Sequence, residues 1–377
     1  VCKPLYFYVI RRGMDFYPVD YLKENISDSG CIRECIEQAV KINGHKRIIF
    51  NKRNWHIDEA ILLHSDMEII VDGCFIKQND GVFDNIFRGV NLKVDEKDPY
   101  GKPLYVEKMK NVSIKGYNNA KLIGCDVNKK GFHPVKKEYE DMVGDNWGWR
   151  TFMICLSECE GIEISGLSIE NTKCWALSLD LCSYGDIHDI FIQSHVKNGD
   201  GIDLRAGCRH FRIWNITGNT SDDTVACTAL LHSKRRFPFK NYLYPLAPAV
   251  SVFDGDIRKL DIHDISVSDI RTGGLHHAVI CLAADGLRVY NIDIKNIEDI
   301  GEGNRSATVM LYTGYGENYA DNDIHDINIY GVHSRFSKYA VHINTKVHNV
   351  TVSDILQENK EGSLYEFADT EGITVLN

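Results

Sequence analysis

The chain has no run of about 18 apolar residues, so nothing in it reads as a membrane span. It also lacks an excess of positive charge. Its 43 Lys and Arg stand against 53 Asp and Glu, a formal net charge of −10, which excludes the broad basic footprint of a nucleic-acid binder. No CxxC pair occurs among its 12 cysteines, and no histidine stands at zinc-site spacing. Residues 1–10 carry an apolar stretch but neither a basic leader nor a small-residue cleavage site, so a signal peptide is not expected there. Helical periodicity is nearly absent after residue 60, which argues against a TIM barrel or a dinucleotide-binding sheet. What is present is an ordinary globular composition over 377 residues, 44% hydrophobic and 25% charged, long enough for a sizeable core.

One short pattern keeps returning. Ile or Val alternates with polar residues in Gly161-Ile-Glu-Ile-Ser-Gly-Leu-Ser-Ile169, Asp186-Ile-His-Asp-Ile-Phe-Ile192 and His210-Phe-Arg-Ile-Trp-Asn-Ile216. It returns in Leu260-Asp-Ile-His-Asp-Ile-Ser-Val267, Arg288-Val-Tyr-Asn-Ile-Asp-Ile294, Asp323-Ile-His-Asp-Ile-Asn-Ile329 and His348-Asn-Val-Thr-Val352. Taken from their first residues, 161, 186 and 210 are spaced 25 and 24 apart, and 323 to 348 is again 25. A second short strand follows each, as in Gly201-Ile-Asp-Leu204, Thr224-Val-Ala-Cys227 and Ala278-Val-Ile-Cys281. Two short strands cannot bury a face alone, so the units must stack. The expected fold is all-β: a single-domain, right-handed parallel β-helix with one coil per repeat. Residues 1–60 are expected to form an N-terminal segment with a capping helix, and 61–377 the coils. The helix is predicted over Cys31 to Asn43, whose apolar residues at 32, 35, 36, 39, 40 and 42 form a stripe. It would cover the open end of the first coil.

The cysteines agree with stacking. Cys159, Cys182 and Cys208 precede first strands, and Cys227 and Cys281 share a place in second strands. They are expected to be small buried core residues in the reduced state, which leans toward a reducing, cytoplasmic compartment, with export after leader removal as the alternative.

Two adjacent coils carry unusual acids, in Asn198-Gly-Asp-Gly-Ile-Asp203 and Asn219-Thr-Ser-Asp-Asp-Thr224. Aligning Ile202 with Val225 puts Asp200 one coil beneath Asp223, with Asp222 beside it. Carboxylates stacked at a strand spacing of about 4.8 Å repel one another and raise at least one pKa. A protonated acid beside an ionised base is what cleavage of a glycosidic bond requires.

These acids, with the coils around them, resemble glycoside hydrolase family 28, the polygalacturonases and rhamnogalacturonases, from the N-terminal cap through at least residue 312. Asn171-Thr-Lys-Cys-Trp175 is similar to the family's Asn-Ser-Pro-x-Trp, Asn198-Gly-Asp-Gly201 to its Asn-Thr-Asp-Gly, and Asp222-Asp223 to its paired aspartates. The resemblance implies Asp222 as general acid and Asp200 with Asp223 as the pair that activates water, in a single inverting displacement. It also puts His277 of Gly273-Gly-Leu-His-His-Ala278 on the family's histidine. Arg305 falls on the arginine of its Arg-Ile-Lys, whose lysine is missing here. Asn198, His277 and Arg305 are therefore expected to contact substrate, with Tyr312 at the end of the Arg305 strand and Trp149 of Asp145-Asn-Trp-Gly-Trp-Arg150 as aromatic contacts. The insertion at residues 231–250 holds Lys234, Arg235 and Arg236 among Phe237, Phe239, Tyr242 and Tyr244, and Arg235 is expected to grip an anionic sugar chain.

The expected activity is hydrolysis of a pectin-like or other plant polysaccharide or oligosaccharide without metal or cofactor. No nucleic-acid or membrane partner is expected. The alternatives are a polysaccharide lyase or sugar transferase on the same scaffold, or a glycan-binding β-helix without catalysis. Sugar, linkage, attack mode and oligomeric state are left open by the residues.

Overall fold

The computed structural model describes residues 13–98, 101–133, 136–231, 245–301, 305–314 and 318–376. They form a right-handed parallel β-helix. Two parallel sheets run its length. One passes from Met14–Phe16 to Ile373–Leu376, and the other has ten strands from Ile61–Leu63 to Ser363–Phe367. The alternation has the consequence expected of it. In the ten-stranded sheet Leu177, Leu179, Ile202, Leu204, Val225, Cys227, Val279 and Cys281 all point into one continuous core. The long first-sheet strands carry Ile187, Ile190, Ile213, Ile216, Ile265, Ile270, Ile292 and Ile297 into the same core.

Each long strand is bent at left-handed residues that also stack. Tyr184, His210, Asp264, Asn291, Asp326 and Asn349 form one such column, and Asp189, Asn215, Asp269, Asn296, Gly331 and Asp354 another, all at φ between 52° and 68°. Asn and Asp are the non-glycine residues that reach this region at least cost. That explains the recurring Asp-Ile and Asn-Ile: a left-handed corner followed by an inward Ile. Within the columns Asn215 donates to Asp189, Asn291 to Asp264, Asn296 to Asp269 and Asn349 to Asp326, so adjacent coils are tied by side chains as well as backbone.

The coil spacing differs from the one expected. Ile162, Gly185 and Phe211 are the stacked residues, so coils of 23 and 26 residues replace 25 and 24. Asp186-Ile-His-Asp-Ile190 therefore sits at the second corner column, while Ile262-His-Asp-Ile265 and Ile324-His-Asp-Ile327 sit at the first. The physical reason is that a slip of two residues leaves every side chain on its own face, so alternation alone does not detect it.

The capping helix, α1, spans Asp28–Ala39, starting earlier and ending sooner than the apolar stripe suggested. Ser27 caps it by accepting from the Gly30 amide, and Val40 follows the last turn half in solvent. Parallel pairing already includes Lys46–Phe50 and Met14–Phe16, so stacking begins ahead of residue 61. Two antiparallel hairpins that the repeats did not foretell, Leu92–Val94 with Pro103–Val106 and Lys130–His133 with Glu138–Asp141, form two-stranded sheets of their own beside the coils. The 11 described cysteines are free and buried.

Candidate active site

The turn that enters each strand of the ten-stranded sheet stacks from coil to coil. Two residues ahead of the paired Ile154, Leu177, Ile202, Val225 and Val279 lie Phe152, Trp175, Asp200, Asp223 and His277. This column changes character midway. Phe152 and Trp175 are parallel rings 4.5 Å apart, and the next three members are ionisable.

Glycine makes the acid turn this close. A side chain at Gly201 would meet the Thr224 carbonyl at 2.4 Å, and one at Gly199 would strike the hydroxyls of Ser194 and Ser221. Beneath the turns a buried row of hydroxyls holds the coils together. Thr220 and Thr224 are 2.9 Å apart, Thr224 and Thr272 again 2.9 Å, and Thr220 donates to the Asp222 carbonyl.

One carboxylate oxygen from each of Asp200, Asp222 and Asp223 lies within 4.8 Å of the others. Asp200 is 7% exposed, and its Oδ1 has no hydrogen-bond partner. Burial first, and then the charges of Asp203, Asp222 and Asp223, hold its pKa well above the usual carboxylate range. Asp222 is more open; burial and Asp223 push it up to about 6, against a downward pull from His276 and His277. Asp223 is anchored, accepting from the His277 amide at 3.1 Å and facing its Nδ1 at 2.7 Å, while Nε2 of that ring meets the Ser306 hydroxyl at 2.8 Å. The site thus holds one carboxyl with its pKa pushed up to about 6 beside another fixed in place by an imidazole.

Three further residues belong here that the sequence reading did not single out. Asp203, 1% exposed on the outer face of the strand, is raised in pKa by burial and by the neighbouring acids, and its Oδ2 has no partner. Arg205, two residues on, approaches Asp203 at 3.7 Å and lies 4.7 Å over the Trp175 ring. His276 places Nδ1 3.4 Å from Asp222. The signal for Asp203 and Arg205 was available: alternation through Ile202-Asp-Leu-Arg205 points both charged residues away from the core beside the acid turn.

The other expected contacts are placed differently. Asn198, two residues ahead of Asp200, adopts φ 54° and has a buried Oδ1 without a hydrogen-bond partner. Arg305 is a correction: its side chain is fully buried behind the acids. It lies 3.9 Å from Asp299 and donates to the Gly274 carbonyl and to Thr272. Room for it exists because Gly274 has no side chain. It supports the hydroxyl row under Asp222 and Asp223 and presents no face to a sugar.

Trp149 is also corrected. It is 0% exposed, donates its indole N–H to the Gly101 carbonyl, and packs with Leu92, Phe152, Trp175 and Leu246. Two short 3-10 turns on either side of Gly148 tuck both tryptophans inward. Tyr312 ends its strand five residues past the acid turn, about 16 Å along the strand, against Leu282. Arg235 lies outside the described residues.

A hollow of about 460 Å³ between α1 and the first coils is far from these acids, and its charges pair with each other, Arg33 with Glu59 and Arg88 with Asp84. Unpaired carboxylate oxygens, rather than volume, mark the acid cluster. The same three carboxylates, and Asp223 with His276 and His277, have the spacing of a divalent-cation cradle.

No protein-family model and no curated protein matches the chain. Solved structures match it by shape. An exopolygalacturonase from Thermotoga maritima is 16% identical at a TM-score of 0.53, over 96% of this chain and 90% of that one. A 1,3-α-1,4-β-D-galactose-4-sulfate-3,6-anhydro-D-galactose-2-sulfate 4 galactohydrolase is 13% identical at 0.55, over 98% and 93%. A tailspike protein of E. coli bacteriophage HK620, in complex with a pentasaccharide, is 12% identical at 0.57, over 96% of this chain and 59% of that one. At these identities the likeness establishes the right-handed parallel β-helix.

Proposed function

We propose that the chain is a glycoside hydrolase acting on a pectin-like or related polysaccharide or oligosaccharide. One observation carries the reading: carboxyl groups from successive coils converge within 4.8 Å, with the pKa of Asp222 pushed up to about 6 at the open side and Asp223 fixed by His277. Asp222 delivers its proton to the leaving oxygen. Asp200 and Asp223 hold a water between them, and Asp223 takes its proton as it attacks the anomeric carbon, in the single inverting displacement that the resemblance to family 28 implies. Asn198 and His276 border the sugar site. Atom counting is simple: the glycosidic C–O bond breaks, water supplies the new oxygen, and the proton lost by Asp222 is restored from that water.

Support for a glycan substrate comes from the names of the structural neighbours, an exopolygalacturonase, a galactohydrolase and a tailspike holding a pentasaccharide.

The test is a reducing-sugar screen across pectin, rhamnogalacturonan and neutral glycans in the presence of a chelator, with proton NMR of the first product. Release of short products with the inverted anomer is expected. An unsaturated, ultraviolet-absorbing product would make the protein a lyase, and transfer products a transferase. Tight binding without cleavage would make it a glycan-binding helix. A retained anomer would turn one of the acids into a nucleophile.

A further inference from the structure

We propose that His210, His263 and Asp264, on the outer face of the first sheet, form a binding site for a zinc-like divalent cation that clips two adjacent coils together. The cluster is on the opposite sheet from the acids and has no part in the proposed hydrolysis. His210 and Asp264 are direct partners in the first corner column, and His263 is diagonal to His210. Asp264 Oδ2 receives both imidazoles: Nδ1 of His263 at 2.7 Å and Nδ1 of His210 at 3.3 Å. The two rings are nearly perpendicular, at 85° and 5.6 Å, so their nitrogens approach one oxygen from different directions. One donor atom from each residue lies within 4.8 Å of the others, which small rotations bring to a single ion.

The surroundings hold these donors in place. Tyr184 stacks on His210 at 4.7 Å and Tyr290 on His263 at 5.0 Å, fixing both ring planes. Asn291 donates to Oδ1 of Asp264 and leaves Oδ2 to the imidazoles. Such outer partners orient metal ligands. Arg209 is the opposing charge nearby, with its Nη1 donating to the Gly207 carbonyl. Two imidazoles and one carboxylate suit Zn²⁺, Co²⁺ or Ni²⁺, with a position left for water, and suit Mg²⁺ or Ca²⁺ poorly.

The chain contains its own comparison. His–Asp pairs with the same 2.7 Å contact recur at His188–Asp189 and His325–Asp326, but no third donor joins them among the described residues. The difference arises at His210, which stands where the following coils of this column carry Asp or Asn. The location is mechanically apt. Phe211 and Ile265 are neighbours in the sheet yet 54 residues apart, because the insertion lies between them, against 26 and 27 for the coils on either side. A cross-link that closes a long loop removes more chain entropy than one closing a short loop.

The experiment is calorimetric titration of chelator-treated full chain with Zn²⁺ and Mg²⁺, and with Co²⁺ followed by its visible absorption. His210→Asn keeps the left-handed corner and donates to Asp264 as its column neighbours do, so it should fold. One Zn²⁺ per chain is expected, weakened by roughly 10–100-fold or more in His210→Asn and His263→Ala. It should be unchanged in His325→Ala and His276→Gln, and any heat from Mg²⁺ should be the same in wild type and His210→Asn. Zinc should raise the unfolding midpoint of wild type and not of His210→Asn. No binding, equal binding by His210→Asn, or loss only in His276→Gln, which would place the ion on the acid turn, overturns the proposal.

Discussion

Aspartate occupies two regions of this β-helix with opposite results. In the corner columns Asp189, Asp264 and Asp326 sit below the usual carboxylate range. Burial opposes this at Asp189 and Asp264 but is outweighed by hydrogen bonds from Asn215 and His188, and from His263 and Asn291. At Asp326 the bonds from Asn349 and His325 dominate outright. In the acid turn Asp200, Asp203 and Asp222 are all raised, because burial and other carboxylates surround them with few donors. Stacking by coil is common to both regions. What differs is the neighbour on the next coil: an Asn amide completes an acid, and a second acid perturbs it. The corner column stabilises the solenoid, while the acid turn holds protons that chemistry can use.

The sharpest way to break this contrast is to neutralise one acid from each region. Asp222→Asn should lower kcat by about 10²–10⁴ with little change in KM, as expected for loss of a general acid, while circular dichroism stays native. Asp189→Asn in the corner column should leave kcat unchanged. Comparable losses in both variants, or an active Asp222→Asn, would erase the functional distinction. The pH profile adds a second, smaller measure. Because Asp222 must be protonated, kcat should fall about tenfold per unit above a pH of about 6. Since His276 pulls that pKa down, His276→Gln should move the alkaline limb to higher pH. A limb that does not move would detach His276 from the acid.

Much of the fold was legible because alternation and repetition are strong local signals. The alignment of Ile202 with Val225 holds in the sheet, and with it the convergence of Asp200, Asp222 and Asp223. The register of the first strands was less legible, since a two-residue slip costs nothing in facing; only the left-handed corners fix it. Trp149 and Arg305 were misplaced for a different reason. Whether a side chain at a turn goes outward or inward depends on distant partners, the Gly101 carbonyl and the Leu92 hairpin for one, Asp299 and the space over Gly274 for the other. No spacing in the sequence encodes those contacts.

Stability against pH should separate the regions next. The acids of the turn have raised pKa values in the fold, so the native state keeps protons that the unfolded chain, with carboxyls near pKa ~3.9, has already released. Their stabilising effect is present at acid pH and is lost as pH rises. Urea unfolding at a series of pH values should show stability declining by up to about 1.4 kcal/mol per unit for each such proton. Asp203→Asn should decline less steeply, through loss of one buried, mutually repelled acid. Equal slopes would mean that Asp203 ionises as freely as a column acid.

The smallest effect tests the corner column itself. Asn215 contributes an amide to Asp189 and tolerates φ 54°. Asn215→Gly removes the hydrogen bond and keeps the conformation, so it should cost about 1 kcal/mol. Asn215→Ala also forces a side chain into the left-handed region, which adds roughly 1–2 kcal/mol. Both should leave kcat alone, because the residue faces away from the acids. If Gly and Ala cost the same, the column would be a hydrogen-bond ladder only. A gap between them makes backbone geometry the reason that Asp-Ile and Asn-Ile recur along the chain.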